Sequence, residues 1–132
     1  MPSARRVANR SAKPIAYLYA TAPDLKTAER IAGALIDERL AACVNVLPML
    51  VSVYRWKGAV ERAKEVAMIV KTRATLAGAA ADRLRRLHPY EIAAVAAFGA
   101  PTTAADSAFA DWVYAETAPP RGKARQAPVT RR

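Results

Sequence analysis

The sequence predicts a single domain of the α+β class, organised around one long β-hairpin. Residues 40–72 contain seven valines, which suit pleated strands, and the pair Lys57-Gly58, which favours a tight turn. Apolar residues at three- and four-residue spacing on both sides of this stretch indicate amphipathic helices. With 132 residues, the chain can bury one hydrophobic core without disulfides.

The hairpin is preceded by a short strand and a helix. Residues 15–20 (IAYLYA) form an apolar run typical of a buried strand, which we expect to end at residues 21–23. Asp24 is the expected N-cap, because its carboxylate can accept hydrogen bonds from the free N–H groups of the first turn. The helix that follows has one apolar face, made by Leu25, Ala28, Ile31, Ala32, Leu35 and Ile36.

The hairpin has an apolar base and a polar tip. Pro48 cannot donate to a ladder, so we predict a bend or bulge there that divides the first arm into 41–47 and 50–56. Arms of about a dozen residues span roughly 40 Å at about 3.3 Å per residue, which is longer than a small core needs. The overhanging part must therefore extend into solvent or lie against another subunit, and pairing with other subunits would protect its edges.

A second helix, a short strand and a third helix complete the predicted chain order. Thr75 is the expected N-cap of the second helix, and Pro89 is expected to stop it. A strand over 92–98 and a short amphipathic helix anchored by Phe109 and Trp112 follow. The order β-α-β-β-α-β plus a terminal helix predicts a ferredoxin-like fold, with both main helices on one face of a four-stranded antiparallel sheet.

The net charge of +10 is concentrated at the two ends of the chain. Residues 1–13 carry four basic residues and residues 118–132 carry five, with no acidic residue in either, whereas the segment between carries 12 basic and 11 acidic residues. We therefore predict a folded domain over 14–117 with a disordered basic tail on each side. Such tails would contact RNA weakly and in a salt-dependent way, so nucleic acid binding is not the expected function.

The composition also indicates a compartment. Cys43 is the only cysteine, so no internal disulfide can form, which fits a reducing compartment. No apolar run approaches the roughly 20 residues of a membrane span. The basic N-terminus lacks the apolar centre of a secretory signal. We predict a soluble cytoplasmic protein without a membrane partner.

Two functions known for similar folds are not expected. Chemistry of the acylphosphatase kind needs an arginine and free backbone amides after the first strand, but residues 21–23 contain neither arginine nor glycine, and Pro23 has no N–H. RNA recognition of the RRM kind needs a run of the form (K/R)-G-(F/Y)-(G/A)-F, and none occurs. We therefore expect a protein that is not an enzyme.

Several short motifs spread over residues 15–116 belong together. They are Thr21-Ala22-Pro23, residues 40–45 (LAACVN), Tyr54 with Trp56-Lys57-Gly58, Glu65, Lys71-Thr72 and His88-Pro89-Tyr90-Glu91. In these motifs the chain resembles the CutA divalent-cation-tolerance family. The resemblance implies a homotrimer of ferredoxin-like subunits whose long hairpins pair between chains. It also implies a role in tolerance of copper and other divalent ions, or, by the similar architecture of PII signalling trimers, small-ligand binding in clefts between subunits.

Two departures from the family bear on a metal site. The family's copper proposals involve a cysteine before the Thr-Ala-Pro turn, but this chain has Ala20 there, so a soft thiolate ligand is missing. Residues 92–94 read Ile-Ala-Ala where the family has an apolar residue followed by Pro-Glu, which removes a carboxylate. His88, the only histidine, is a metal ligand, a polar group that lines a cleft between subunits, or a helix-end histidine that bonds a carbonyl.

Four polar residues form the candidate binding site in a cleft between subunits. Glu65 and Lys71 are six residues apart on one strand and project to the same face, and Tyr90 and Glu91 follow the second helix. These groups either bind a small anionic or zwitterionic ligand, with Lys71 as the charge anchor, or form buried ion pairs and hydrogen bonds that fix the register of the trimer. Tyr54 is expected to pack, with its neighbour Trp56, on an adjacent subunit.

Overall fold

In the computed structural model, which describes residues 12–120, one antiparallel sheet carries helices on both faces. The elements are β1 (Ile15–Ala22), α1 (Leu25–Asp37), β2 (Cys43–Trp56), β3 (Ala59–Arg73), a 3₁₀ turn (Ala74–Leu76), α2 (Ala77–Leu87), β4 (Val95–Ala97) and α3 (Ser107–Glu116). The predicted α+β class is confirmed. The basic tails predicted at 1–13 and 118–132 lie almost entirely outside the described residues. No helix within 12–120 is both long and apolar enough to cross a membrane.

The sheet has the strand order β2-β3-β1-β4, with every neighbouring pair antiparallel. Alternate residues of β1 face two different layers, as a pleated strand requires. Leu18 and its even-numbered neighbours pack in one core with residues of both α1 and α2. Ile15 and Tyr17 face the other side, where Val113 of α3 covers them. The two main helices therefore share one face, as the sequence predicts.

Local signals fix most of the element ends. Asp24 caps α1, because its Oδ1 accepts from the N–H of Thr27 at 2.8 Å, and this bond lowers the pKa of Asp24. The N-cap predicted at Thr75 is wrong, since the chain forms a 3₁₀ turn there and α2 begins after Leu76 without a side-chain cap.

The last strand, β4, is shorter than predicted, because it covers Val95–Ala97 and not the whole of 92–98. Phe109 packs against the smaller core as predicted, but Trp112 is 44% exposed, so Ala110 and Val113 are the buried residues that anchor α3 in its place.

The hairpin turn and its bulge lie where the sequence predicts them. Lys57 and Gly58 both have positive φ angles, 52° and 85°, which suits a two-residue turn between twisted strands. The register of β2 and β3 shifts between Leu47 and Leu50, so two residues, Pro48 and Met49, lie opposite the single residue Val66. Met49 takes up the strain, with a φ of 64°.

The bulge reverses which residues of β2 face α1 and α2. Before it, Val46 is paired with the core residue Met68 and contacts the same core as α1 and α2. After it, Leu50 is paired with Glu65, whose side chain lies on the opposite face of β3 because side chains alternate along a strand. The even-numbered residues from Leu50 to Trp56 are therefore turned away from α1 and α2.

Candidate functional site

His88 is nearly buried at the end of α2, and both of its ring nitrogens are engaged. Nε2 lies 2.7 Å from the carbonyl oxygen of Thr21, and the backbone N–H of Tyr90 donates to Nδ1 at 3.1 Å. Since Nδ1 accepts a hydrogen bond, the proton of the neutral ring is assigned to Nε2, which donates to the carbonyl. The ring thereby ties the segment after α2 to the end of β1.

Glu65 is the acceptor of a partly buried hydrogen-bond network on the face of the sheet that α1 and α2 leave free. Its side chain is only 8% exposed, although it is a carboxylate on a half-exposed ribbon. Ser52 donates from Oγ to Oε1 at 2.6 Å, and Tyr90 donates from its hydroxyl to Oε2 at 3.0 Å. These two donors compensate the carboxylate for its lost hydration.

Tyr90 is kept protonated by this arrangement. Burial, followed by the hydrogen bond to Glu65 and the negative charge of Glu65, raises the pKa of Tyr90 to about 12. Each cause acts in the same direction, because a phenolate is disfavoured both away from water and beside a carboxylate. The phenol therefore stays a donor at any physiological pH.

A cavity of about 340 Å³ opens beside this network. It lies between the outer part of the hairpin and the segment after α2. Its polar and aromatic lining consists of Thr21, Tyr54, Trp56, Glu65, Tyr90 and Glu91. A concave site with aromatic walls and a few convergent polar groups has the usual features of a small-ligand pocket.

The charges of β3 are divided between the two faces of the hairpin. Glu61 and Glu65 are four residues apart, so both lie on the pocket face, where Glu61 is paired with Tyr54. Arg62 and Lys64 alternate with these acids and lie on the opposite face. The pocket face of β3 therefore carries acidic residues, whereas Arg62 and Lys64 of the same strand point away from the pocket.

Lys71 lies far from the other predicted site residues within one chain. Six residues of β3, or about 20 Å at about 3.3 Å per residue, separate it from Glu65. Its Nζ lies 5.9 Å from the ring centroid of Phe109 in α3, and it is directly opposite Cys43 in the register. The chain thus brings Glu65, Tyr90 and Glu91 together at one pocket, whereas Lys71 lies beneath α3.

A single chain does not provide the donor set of a closed metal site. Within residues 12–120, no three side chains of His, Cys, Asp or Glu are grouped to hold a metal ion. His88 already uses both ring nitrogens, and transition-metal sites in proteins usually have at least three side-chain ligands. The residues of one copy therefore do not fit a copper site of that kind.

Ser52 is the site residue that sequence reasoning missed. The signal was present, because counting back from the Lys57-Gly58 turn places Ser52 on the same face as Leu50, beside Glu65. The aromatic residues of the second half of β2, assigned from the sequence to contact with a neighbouring subunit, line the pocket in this chain.

A protein-family model matches most of the chain. The family model of the CutA1 divalent ion tolerance protein matches residues 16–116. Protein CutA of Mus musculus is 39% identical over 103 residues, which are 78% of this chain and 57% of the mouse protein. The chain therefore spans little more than half the length of that relative.

Solved structures give the same result. The crystal structure of CutA1 from Ehrlichia chaffeensis superposes with a TM-score of 0.76 at 34% identity, covering 82% of this chain and 99% of that one. The structure of the periplasmic divalent cation tolerance protein CutA from Archaeoglobus fulgidus superposes with a TM-score of 0.73 at 36% identity, covering 79% of this chain and 99% of that one.

Proposed function

The chain belongs to the CutA1 divalent ion tolerance family, and we propose that it serves in the tolerance of copper and other divalent metal ions, as a homotrimer of ferredoxin-like subunits without catalytic activity. The strand order β2-β3-β1-β4 supports the ferredoxin-like assignment. The observation that carries the trimer is the apolar surface of the hairpin beyond the core.

The outer hairpin, the part of β2 and β3 from the bulge at Pro48-Met49 to the turn at Lys57-Gly58, has the properties of an interface. Val53 and Val60 are 63% and 64% exposed, and Met49 at the bulge is 91% exposed. Exposed apolar surface of this kind marks a contact site in a water-soluble domain. β2 is also the edge strand of the sheet and runs for 14 residues, so it offers backbone groups for pairing with another chain. Three copies that pair through their hairpins would cover both features.

Light scattering on the full chain tests the assembly. The proposal predicts a molar mass near three times 14.2 kDa, and Val53→Lys should shift that mass toward the single chain by placing a charge in the interface. Ile36→Lys, on the exposed side of α1, is the matched control and should leave the mass unchanged. A monomeric full chain at micromolar concentration would rule out the homotrimer.

The proposed metal contact is His88, at low specificity. To coordinate a copper ion, the ring must give up its bond with the Thr21 carbonyl or with the Tyr90 N–H, and the remaining ligands must come from other copies. We expect weak binding for this reason. Calorimetric titration of Cu²⁺ into the full chain and into His88→Ala should show binding that the variant loses while the trimer persists. Identical isotherms for the two proteins would remove His88 from the proposal.

A growth assay tests the tolerance role independently of direct binding. Cells that lack their own copy of the gene should grow better in elevated copper when they express the full chain. The trimer-breaking Val53→Lys variant should restore growth less well than the Ile36→Lys control. Equal growth with and without the chain, at matched expression, would contradict the role.

A second candidate function, the binding of a small ligand in a cleft between subunits as in PII trimers, is favoured by the pocket beside Glu65. In the form that the sequence predicts, Lys71 anchors an anionic ligand, which requires Lys71 of a neighbouring copy because of its distance from Glu65 within one chain. Lys71→Met separates this role from a structural one. Loss of the trimer supports a structural role, and an intact trimer with lost affinity for an anionic ligand supports the pocket.

The cytoplasm is the proposed compartment. Its support is the lone Cys43, which suits a reducing environment. The Archaeoglobus fulgidus protein is described as periplasmic, so the compartment is tested directly by fractionating cells that express the full chain. Recovery in a periplasmic or organelle fraction would contradict the proposal.

A further inference from the structure

We propose that the pocket between the hairpin and the segment after α2 binds an organic cation, a primary ammonium group carried on a flat apolar body. The inference deepens the second candidate function, because it names a ligand class for the same pocket and reverses the sign of charge that Lys71 had suggested. It rests on the aromatic walls, on the carboxylates and on the distribution of charge around the pocket.

The aromatic walls suit a cation. Tyr54 and Trp56 lie on the same face of β2, and Tyr90 lines the same cavity. The faces of such rings attract ammonium groups, and an apolar ligand body gains contact area from them. The chain itself shows the interaction, since Nζ of Lys57 lies 5.7 Å from the ring centroid of Trp56.

The charges that line the pocket are negative. Glu65 forms part of its floor, and the exposed Glu91 lies at its rim. The described residues that line the cavity include no lysine and no arginine. Glu61 adds a third carboxylate on the same face of the ribbon. An ammonium group is therefore attracted by the carboxylates that border the cavity, and a carboxylate ligand is repelled by them. Lys57, whose Nζ lies over the ring of Trp56, is a like charge that opposes the binding of a cation.

Two hydrogen bonds preorganise the carboxylate of Glu65 for binding a cation. Ser52 and Tyr90 each donate one hydrogen bond to it, to different oxygens, so the carboxylate is fixed in place and neither donor brings a positive charge. A carboxylate has about four lone-pair positions, so acceptor capacity remains for an ammonium N–H. A buried acid fixed in this way needs little reorganisation when a cation arrives.

The net charge of the whole protein distinguishes non-specific attraction from binding in the pocket. The chain has a net charge of +10, so non-specific attraction favours anions over cations. A preference for a cation can therefore arise only from local groups. Hydrophobic contact alone could also favour a ligand with an apolar body. A neutral probe of the same shape measures that contribution separately from the contribution of charge.

The test uses the full chain and three probes that differ mainly in charge: benzylammonium, benzyl alcohol and benzoate. Binding is measured at neutral pH by the shifts of backbone amide signals in NMR spectra. We expect benzylammonium to bind about tenfold more tightly than benzyl alcohol, with its largest shifts at Thr21, Glu65 and Tyr90, and benzoate to bind more weakly than either.

Variants that leave the core untouched test the assignment. Glu91→Gln should weaken the binding of benzylammonium several-fold and leave the binding of benzyl alcohol unchanged, because it removes the negative charge and keeps the shape of the side chain. Glu29→Gln, an exposed residue of α1 on the other side of the sheet, removes the same charge and should change neither. Lys57→Met should strengthen the binding of benzylammonium. The substitution removes an ammonium group that competes for the ring of Trp56 and that repels a cationic ligand.

Three results would overturn the inference: no binding of benzylammonium at millimolar concentration, equal affinity for benzylammonium and benzyl alcohol, or preference for benzoate. The last would restore an anion site built with Lys71. The molar mass is measured on the same samples, so a trimer without affinity for benzylammonium fails this inference alone. A monomer that binds benzylammonium fails the proposed assembly alone.

Discussion

The raised pKa of Tyr90, a residue of the pocket, makes the stability of the fold depend on pH. Its pKa is about 12 in the folded chain, against 10.0 for an ordinary tyrosine, first because of burial and then because of Glu65. The folded state therefore holds this proton more tightly than the unfolded state does. The resulting stabilisation is present in full below pH 10 and is lost as the pH rises from 10 to about 12.

Titration of the phenols by ultraviolet absorbance checks this. We expect one of the five tyrosines to ionise near pH 12, and this transition to be absent in Tyr90→Phe. In Glu65→Gln it should move down but stay above the ordinary value, because burial is the larger cause. A wild-type curve that superposes on that of Tyr90→Phe, after allowance for one phenol fewer, would contradict the raised pKa.

Among residues 12–120, Thr72 is the buried residue whose side chain lacks a hydrogen-bond partner. It is fully buried in β3, and its Oγ1 has no hydrogen-bond partner within residues 12–120. Thr72→Val keeps the shape and removes the hydroxyl, so we expect it to raise the free energy of unfolding by about 1 kcal/mol.

The matched control is Val70→Thr, at the fully buried position two residues earlier on the same face of β3. It adds a buried hydroxyl and should lower the free energy of unfolding by about 1–3 kcal/mol. Urea unfolding measures both variants. Destabilisation by Thr72→Val would show that the hydroxyl has a partner, such as one that assembly provides.

The bulge in β2 is the element that forms the pocket. Without the extra residue at 48–49, the alternation of β2 would continue, and Tyr54 and Trp56 would turn to the face of α1 and α2. Met49 adopts a positive φ of 64°, which costs roughly 1–2 kcal/mol for a residue with a Cβ. Part of that cost is recoverable by substitution.

Met49→Gly is expected to stabilise the fold by about 0.5–1 kcal/mol, since the relief of strain exceeds the added entropy of the unfolded chain. Met49→Ala keeps the Cβ and so keeps the strain, which makes it the control for the loss of the exposed side chain. Urea midpoints of the two variants decide the question. Equal midpoints would mean that the bulge is not strained at this residue.

Sequence reasoning succeeded where the cause is local. Asp24 caps α1 through a bond to a residue three positions away, and Pro48 forces an irregularity wherever it stands in a ladder. The turn at Lys57-Gly58 is fixed by its own backbone angles. Thr75 failed for the converse reason, because its neighbours form a 3₁₀ turn that a propensity for capping does not reveal.

The site was only partly predictable, because alternation assigns a face but not a position along a strand. Glu65 and Lys71 were correctly placed on one face of β3, yet six residues of strand hold them apart. The contact of Glu65 with Tyr90 joins residues 25 apart and depends on His88, which ties the segment after α2 to β1. No local pattern encodes that contact.

The molecule as a whole combines a small buried core with a long ribbon that leaves it. The core near α1 and α2 holds the base of the hairpin, where Val70 and Met68 are fully buried. The outer hairpin exposes Val53 and Val60 on the face opposite the pocket. One face of the ribbon is therefore available for assembly while the other presents the acids and aromatic rings of the pocket.

Thermal unfolding at different protein concentrations tests whether the ribbon is stabilised by assembly. If three chains fold and unfold together, a tenfold increase in concentration raises the stability of each chain by about 1 kcal/mol through mass action. For a chain of this size, that corresponds to a rise in the unfolding midpoint of roughly 3 °C. Val53→Lys should lower the midpoint and remove its dependence on concentration, whereas Ile36→Lys should retain both. A wild-type midpoint that is the same at low and high concentration would mean that the folded chain does not need its partners.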